Sequence, residues 1–266
     1  MFVTLPIISL NYMENYNQQE FSNYTVIDSQ QSNATGAVAK KYMASVFLWM
    51  FVALGVSTLF AWLFATTPSL LAQLIVQTES GAHLSGLGWI VMFAPLGFVL
   101  LMNFGFAKLS APALTLLFLF YAAITGMSLS FILLVYTESS VIGCFGASAA
   151  MFGIMAYMGY TTEKDLTSFG RLLMMGLVGI LIAMLINMFL GSPALGYLIS
   201  IIGVAVFTGL TAYDVQVLKR IGAGLEYEGT SVNDTKKLAV MGALRLYLDF
   251  LNLFLMLLRL FGGRRN

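Results

Sequence analysis

Long apolar runs separated by short polar segments make up most of the chain from about residue 40 onward. Six runs are Tyr42–Ala65, Leu84–Ala107, Ala111–Tyr136, Val141–Tyr160, Leu172–Leu190 and Leu195–Leu218. A seventh begins near Leu238 and ends near Phe261. A helix needs roughly 20 apolar residues to cross a bilayer, and the alternation of a membrane-spanning strand is absent. The pattern predicts an all-α integral membrane protein with about seven transmembrane helices.

Composition supports this class and narrows the partners. Hydrophobic residues make up 59% of the 266 residues and charged residues only 9%, whereas an ordinary soluble domain is about 25% charged. Lys and Arg total 13 against 12 Asp and Glu, so the chain lacks the basic excess that nucleic-acid backbones require. We therefore expect the lipid bilayer to be the main surrounding, and no nucleic-acid partner.

The first 39 residues differ from the rest of the chain. Residues 14–39 are rich in Asn, Gln, Ser and Thr, and such a segment has too few apolar side chains to fold alone. We predict a flexible tail over residues 1–39 and a transmembrane domain over 40–266. Met13 opens the polar stretch, and we hypothesise that it is the true start, which N-terminal sequencing of the natural protein tests.

Basic residues indicate the orientation of the helices, because Lys and Arg are retained in cytoplasmic loops. Lys40 and Lys41 precede the first helix, and alternate connections carry Lys108, Lys164, Arg171, Lys219, Arg220, Lys236 and Lys237. The other connections, Thr66–Ser85, Thr137–Ser140 and Gly191–Ala194, have neither Lys nor Arg. This predicts a cytoplasmic N-terminus. Seven full crossings place Arg264 and Arg265 outside, against the rule, so the last segment either crosses or re-enters and returns.

Two carboxylates fall within predicted membrane segments. Asp214 lies five residues before Lys219, or roughly 7 Å deep in a helix. Asp249 is roughly 18 Å deep if counted from Lys237, but about 6 Å deep if Arg245 marks the membrane surface. We prefer the second count, because it leaves one fewer charge in hydrocarbon and lets the two aspartates face each other.

Charged groups inside a bilayer cost on the order of 3 kcal/mol each, so they are functional candidates by default. Two facing carboxylates are expected to share a proton and titrate as a coupled pair. When both ionise, their repulsion separates the helices and their oxygens suit Ca²⁺. Asn252, three residues after Asp249, is placed to orient it. The structural alternative is that Asp214 or Asp249 pairs with Arg245 and only stabilises the bundle.

Two motifs resemble those of the Bax inhibitor-1 family, in particular those of its bacterial inner-membrane members. They are Ala212-Tyr213-Asp214-Val-Gln-Val-Leu-Lys219 and Ala243-Leu-Arg-Leu-Tyr-Leu-Asp249-Phe-Leu-Asn-Leu-Phe. The resemblance implies a seven-helix fold around a central last helix and a pH-sensitive calcium leak, with Asp214 and Asp249 as pH sensor and possible Ca²⁺ ligands. It implies no cofactor apart from Ca²⁺ as the transported ion.

The chain departs from that family at the end of the second helix. A characterised bacterial relative has arginine there to latch the aspartates, whereas this chain reads Asn103-Phe-Gly-Phe-Ala-Lys108. Lys108 is at best a partial substitute, because an ammonium lacks the planar fork of guanidinium. We regard Arg245, Asn252, Tyr213 and Lys108 as supporting residues.

Three functions are compatible with these residues. The first is a passive cation pathway, gated by the proton that Asp214 and Asp249 share. The second is a regulatory membrane protein that binds a membrane protease or another partner. The third is an intramembrane aspartyl protease, whose catalytic pair also shares a proton. Proteases of that class resemble one another in Gly-x-Gly-Asp, whereas here the second aspartate follows Leu246-Tyr-Leu, so we expect no enzyme.

Overall fold

Seven long helices account for most of the protein. The computed structural model describes residues 36–78, 81–106, 108–227 and 231–265. Residues 1–35 of the predicted tail, Met13 among them, therefore lie outside the described residues. The elements are α1 (Ala37–Thr66), α2 (Pro68–Leu74), β1 (Ile75–Thr78), β2 (Gly81–Leu84), α3 (Gly86–Gly105), α4 (Ala111–Val135), α5 (Glu138–Thr161), α6 (Thr167–Leu190), α7 (Pro193–Tyr227) and α8 (Val232–Phe261). Within the described ranges, all of these helices except α2 are long and apolar enough to cross a membrane, which confirms the predicted fold class.

Several helices extend beyond the apolar runs that predicted them, among them α7 and α8. Helix α7 continues past Leu218 to Tyr227, because charged residues such as Lys219 propagate a helix well once it leaves the hydrocarbon. Helix α8 begins at Val232 rather than near Leu238, and Ser231 caps it by accepting a hydrogen bond from the Asp234 amide at 3.1 Å. The apolar run marks the membrane-embedded part of a helix and not its full length.

A short hairpin between α2 and α3 was not predicted. Strands β1 and β2 pair antiparallel, with Ile75 opposite Leu84 and Val76 opposite His83. Strand β1 contains the β-branched residues Ile75, Val76 and Thr78, which favour an extended backbone. Leu84 therefore belongs to this hairpin. The hydropathy pattern had placed it at the start of the following helix.

Helix α8 is the centre of the bundle. In its most apolar stretch 83% of the residues are buried, against 17% for α6. It packs against α1, α4, α5 and α7, whereas α6 contacts mainly α7. Leu246, Leu253 and Met256 are fully enclosed. The central last helix that the family resemblance implied is thus present.

The two ends of α8 lie at opposite ends of the bundle. Near its start, the Lys237 ammonium donates to the Phe106 carbonyl at 3.4 Å, beside the α3–α4 connection. After its end, Gly263 accepts from the Thr137 amide at 3.0 Å and the Arg265 amide donates to Val135 at 2.8 Å, both at the α4–α5 connection. Because α4 spans the distance between these connections, α8 crosses the whole bundle. The re-entrant alternative is wrong.

Candidate functional site

Helices α7 and α8 bring the two membrane aspartates and one arginine together. Asp214 of α7 is 3% exposed and Asp249 of α8 is 7% exposed. The Arg245 guanidinium donates from Nε to Oδ2 of Asp214 and from Nη2 to Oδ1. Such a two-pronged pair is the strongest geometry between arginine and a carboxylate. Asp214 therefore has both oxygens engaged.

Asp249 lies one helical turn after Arg245 and has a less complete environment. It interacts electrostatically with both Asp214 and Arg245. Within the described part of the chain, its Oδ2 atom is buried without a hydrogen-bond partner. A buried carboxylate oxygen without a partner is costly, so this atom is the least satisfied polar group of the site.

Arg245 lies inside the helix bundle. Only 14% of its side chain is exposed, and it points between α7 and α8 toward Asp214. The preferred depth count took this residue as the membrane boundary, and the depth of Asp249 in the bilayer stays a prediction. The two aspartates are still brought to one level, because Arg245 interacts with both of them. The arginine is part of the site.

The other predicted residues divide between the site and the surface. The Tyr213 ring lies 5.8 Å from the guanidinium carbon of Arg245, which is within range of a cation–π contact. Asn252 is buried on α8, three residues after Asp249. Lys108 is exposed between α3 and α4, and among the described residues it forms no ion pair with either aspartate. The structure brings Tyr213 to the pair and does not bring Lys108.

Two glycines that sequence reasoning did not single out position this part of α7. A Cβ on Gly159 of α5 would collide with the backbone of Ala212, and one on Gly170 of α6 would collide with the Tyr213 ring. Both neighbours can approach only because the glycines have no side chain. The sequence signal is weak, since small residues are common in packed transmembrane helices.

Gln216 is a further residue that the sequence analysis missed. It is 5% exposed, its Oε1 accepts from the Leu166 amide at 2.9 Å, and its Nε2 donates to the Lys164 carbonyl at 2.8 Å. These bonds hold the α5–α6 connection against α7, two residues beyond Asp214. A polar residue is ordinary near the basic end of a membrane segment, so nothing in the sequence singled out this glutamine.

An exposed ion pair completes that connection. Arg220 donates to Asp165 at 2.6 Å, and the Thr167 hydroxyl donates to the same carboxylate oxygen at 2.6 Å. The hydrogen bonds from Thr167 and Arg220 hold the pKa of Asp165 well below its usual range. Unlike Asp214 and Asp249, this carboxylate is exposed to solvent.

The described residues contain no cluster of three or more His, Cys, Asp or Glu side chains that would suit a metal ion. Ca²⁺ usually takes 6–8 oxygen ligands. Asp214 and Asp249 by themselves supply four oxygens at most, and Arg245 occupies two of them. The pair therefore falls short of the ligand set that Ca²⁺ usually takes.

Comparison with known proteins agrees with this architecture. Residues 39–266 match the family described as inhibitor of apoptosis-promoting Bax1. Inner membrane protein YbhL of Escherichia coli K12 is 45% identical over 224 residues, covering 84% of this chain and 92% of YbhL. A Borreliella burgdorferi protein is 41% identical over 241 residues, covering 91% of this chain and 100% of that protein. The chain belongs to the Bax inhibitor-1 family of membrane proteins.

Proposed function

We propose that the protein is a passive, pH-sensitive pathway for Ca²⁺ across the membrane, gated by Asp214 and Asp249. The observation that supports this is a buried pair of acids beside a single guanidinium, with Oδ2 of Asp249 lacking a partner. Ionisable groups inside a membrane protein mark ion or proton pathways more often than scaffolding.

The gate follows from the charge balance of three groups. When Asp249 carries a proton, Arg245 and the ionised Asp214 neutralise each other and hold α7 against α8. When Asp249 loses its proton, two carboxylates compete for one guanidinium, and a net negative charge stands in a low-dielectric interior. Repulsion then separates α7 from α8, and the freed carboxylate oxygens are hard ligands that Ca²⁺ prefers. We expect flux to rise as pH rises.

The experiment is Ca²⁺ flux into liposomes that contain the purified protein, measured from about pH 5 to 8, a range that a perturbed buried carboxylate senses. We expect Asp249→Asn to reduce the flux and abolish its pH dependence, because an amide cannot ionise. Asp214→Asn is expected to alter the pH profile, since it frees Arg245 for Asp249. Asp165→Asn makes the same chemical change on the exposed surface, and we expect it to behave as wild type.

Three results would contradict the proposal: no protein-dependent flux at any pH, a flux that neither buried substitution changes, or a flux that rises toward acid. The first would favour the alternative of a regulator that binds a membrane protease or another partner. For the protease alternative, a peptide-cleavage assay is the corresponding test. The contact of Arg245 with both oxygens of Asp214 disfavours it, because a catalytic aspartyl pair must share its proton and bind water.

The location follows from the relatives and the charge pattern. We propose that the protein resides in a bacterial inner membrane, as the name of YbhL states for that relative. The connections rich in Lys and Arg then face the cytoplasm together with the N-terminus. Arg264 and Arg265 lie at the opposite end of the bundle, beside the α4–α5 connection, as an exception to the rule.

A further inference from the structure

An apolar groove runs along the outside of the bundle between α1 and α5. It has two adjoining parts, of about 560 and 330 Å³, which share Phe51, Ala149 and Phe250. Phe250 of α8 forms the floor, and the Phe145 and Phe152 rings meet it edge-on at 5.2 and 5.7 Å. The groove lies wholly within membrane-spanning helices, so it opens sideways into lipid and not into water.

Small residues of α5 make the groove deep enough for a chain of methylene groups. Ala149, Gly153 and Ala156 line one wall, and a Cβ placed on Gly153 would meet no atom within 4 Å. Phe47 and Phe51 of α1 form the facing wall. The surface is almost entirely apolar, which suits an acyl chain better than a polar ligand.

One end of the groove is basic. Tyr160 lines that end, and the Lys219 ammonium lies 2.8 Å from its carbonyl oxygen and 5.2 Å from its ring centroid. An ammonium has three donors, so two remain for another ligand. Lys40 is exposed on α1, seven positions before Phe47 and eleven before Phe51, which places it on the same face of the helix about 10 Å further out.

We propose that this groove binds an anionic phospholipid, with one acyl chain between α1 and α5 and the phosphate between Lys40 and Lys219. The argument rests on charge complementarity at the basic end and on the apolar, laterally open wall that follows it. Basic groups between transmembrane helices are a known means of holding anionic head groups. The proposal does not depend on Ca²⁺ transport.

The test is native mass spectrometry of the full-length protein in detergent, with equal amounts of phosphatidylglycerol and phosphatidylcholine of the same chain length. We expect wild type to retain one phosphatidylglycerol in preference to phosphatidylcholine. Gly153→Leu and Ala149→Phe fill the groove and are expected to abolish retention. Lys40→Gln and Lys219→Gln are each expected to cut the preference about fivefold, since one basic residue near a membrane surface contributes about that factor.

Gly179→Leu on α6 is the matched control, because Gly179 also has open space around it and lies on a helix that does not line the groove. We expect this variant to retain lipid as wild type does. Equal retention of the two lipids by wild type, or full retention by both groove-filling variants, would overturn the proposal. A dimer that Gly153→Leu dissociates would overturn it as well, because the groove would then hold a second copy of the chain.

Discussion

Helix α8 is buried on two faces that differ in their chemistry. Asp249 faces α7, where Arg245 already holds Asp214. Tyr247, two positions earlier and so about 200° around the helix, faces α1 and α4. Its hydroxyl lies 2.6 Å from the Ser57 hydroxyl, and its ring meets those of Phe118 and Tyr121 edge-on at 5.9 and 5.6 Å. Both faces are almost completely enclosed.

The two faces differ in whether a gained or lost proton changes their net charge. The tyrosine face is neutral, and Ser57, whose hydroxyl contacts that of Tyr247, donates to the Ala122 carbonyl at 2.7 Å. The aspartate face has two acids for one guanidinium and an oxygen with no partner among the described residues. A proton gained or lost changes the net charge only on that face. The two faces are equally buried, but the tyrosine face serves packing and the aspartate face is a candidate switch.

The largest effect is expected from Arg245→Leu. Removing the guanidinium leaves two buried acids without a cation, and breaking a buried pair from one side typically costs about 3–5 kcal/mol. We expect a large fall in thermal stability at pH 8 and a smaller one at pH 5, where protonation removes the uncompensated charge. The measurement is thermal unfolding of purified protein in detergent.

Arg220→Leu serves as the control, because it breaks an ion pair that is 47% and 66% exposed on its two sides. Combining Arg245→Leu with Asp214→Leu is expected to recover much of the lost stability, since no unpaired charge then remains at Asp214. Equal losses for Arg245→Leu and Arg220→Leu would contradict the assignment of Arg245 to a buried site.

An intermediate effect is expected from Tyr247→Phe on the neutral face. The change removes one hydroxyl but leaves the Ser57 donor satisfied by Ala122, so we expect a loss of about 1 kcal/mol in unfolding free energy. This loss is expected to be the same at pH 5 and pH 8, and the pH profile of Ca²⁺ flux is expected to keep its shape. A shifted flux profile would show that the two faces are not independent.

The smallest effect is expected from Asp165→Asn, which changes a solvated carboxylate outside the two faces of α8. Because hydrogen bonds from Thr167 and Arg220 depress the pKa of Asp165, its stabilisation is present above the unfolded pKa of about 3.9 and is lost as pH falls through the lower folded value. We expect the variant to be less stable at pH 7 by under about 1 kcal/mol. The difference in melting temperature should narrow below about pH 4; a difference that grows there would have the wrong sign.

Much of the fold was predictable from sequence because the bilayer restricts the choices. Apolar runs of membrane length must be helices, and each predicted run corresponds to an observed helix. The same restriction drew attention to Asp214 and Asp249, since acids are rare in such runs. The hairpin of β1 and β2 was missed because it lies outside the hydrocarbon pattern, where a run of four residues has no clear period.

The sequence alone determined how many segments cross and which acids stand inside them, because transfer into lipid depends on composition and length. Only the tertiary structure decided which way Arg245 points, that α8 crosses the full bundle, and that Gly159, Gly170 and Gln216 support the site. These outcomes depend on contacts between residues far apart in the chain. Hydropathy carries no information about such contacts, since an arginine at the surface and one turned toward Asp214 read the same in sequence.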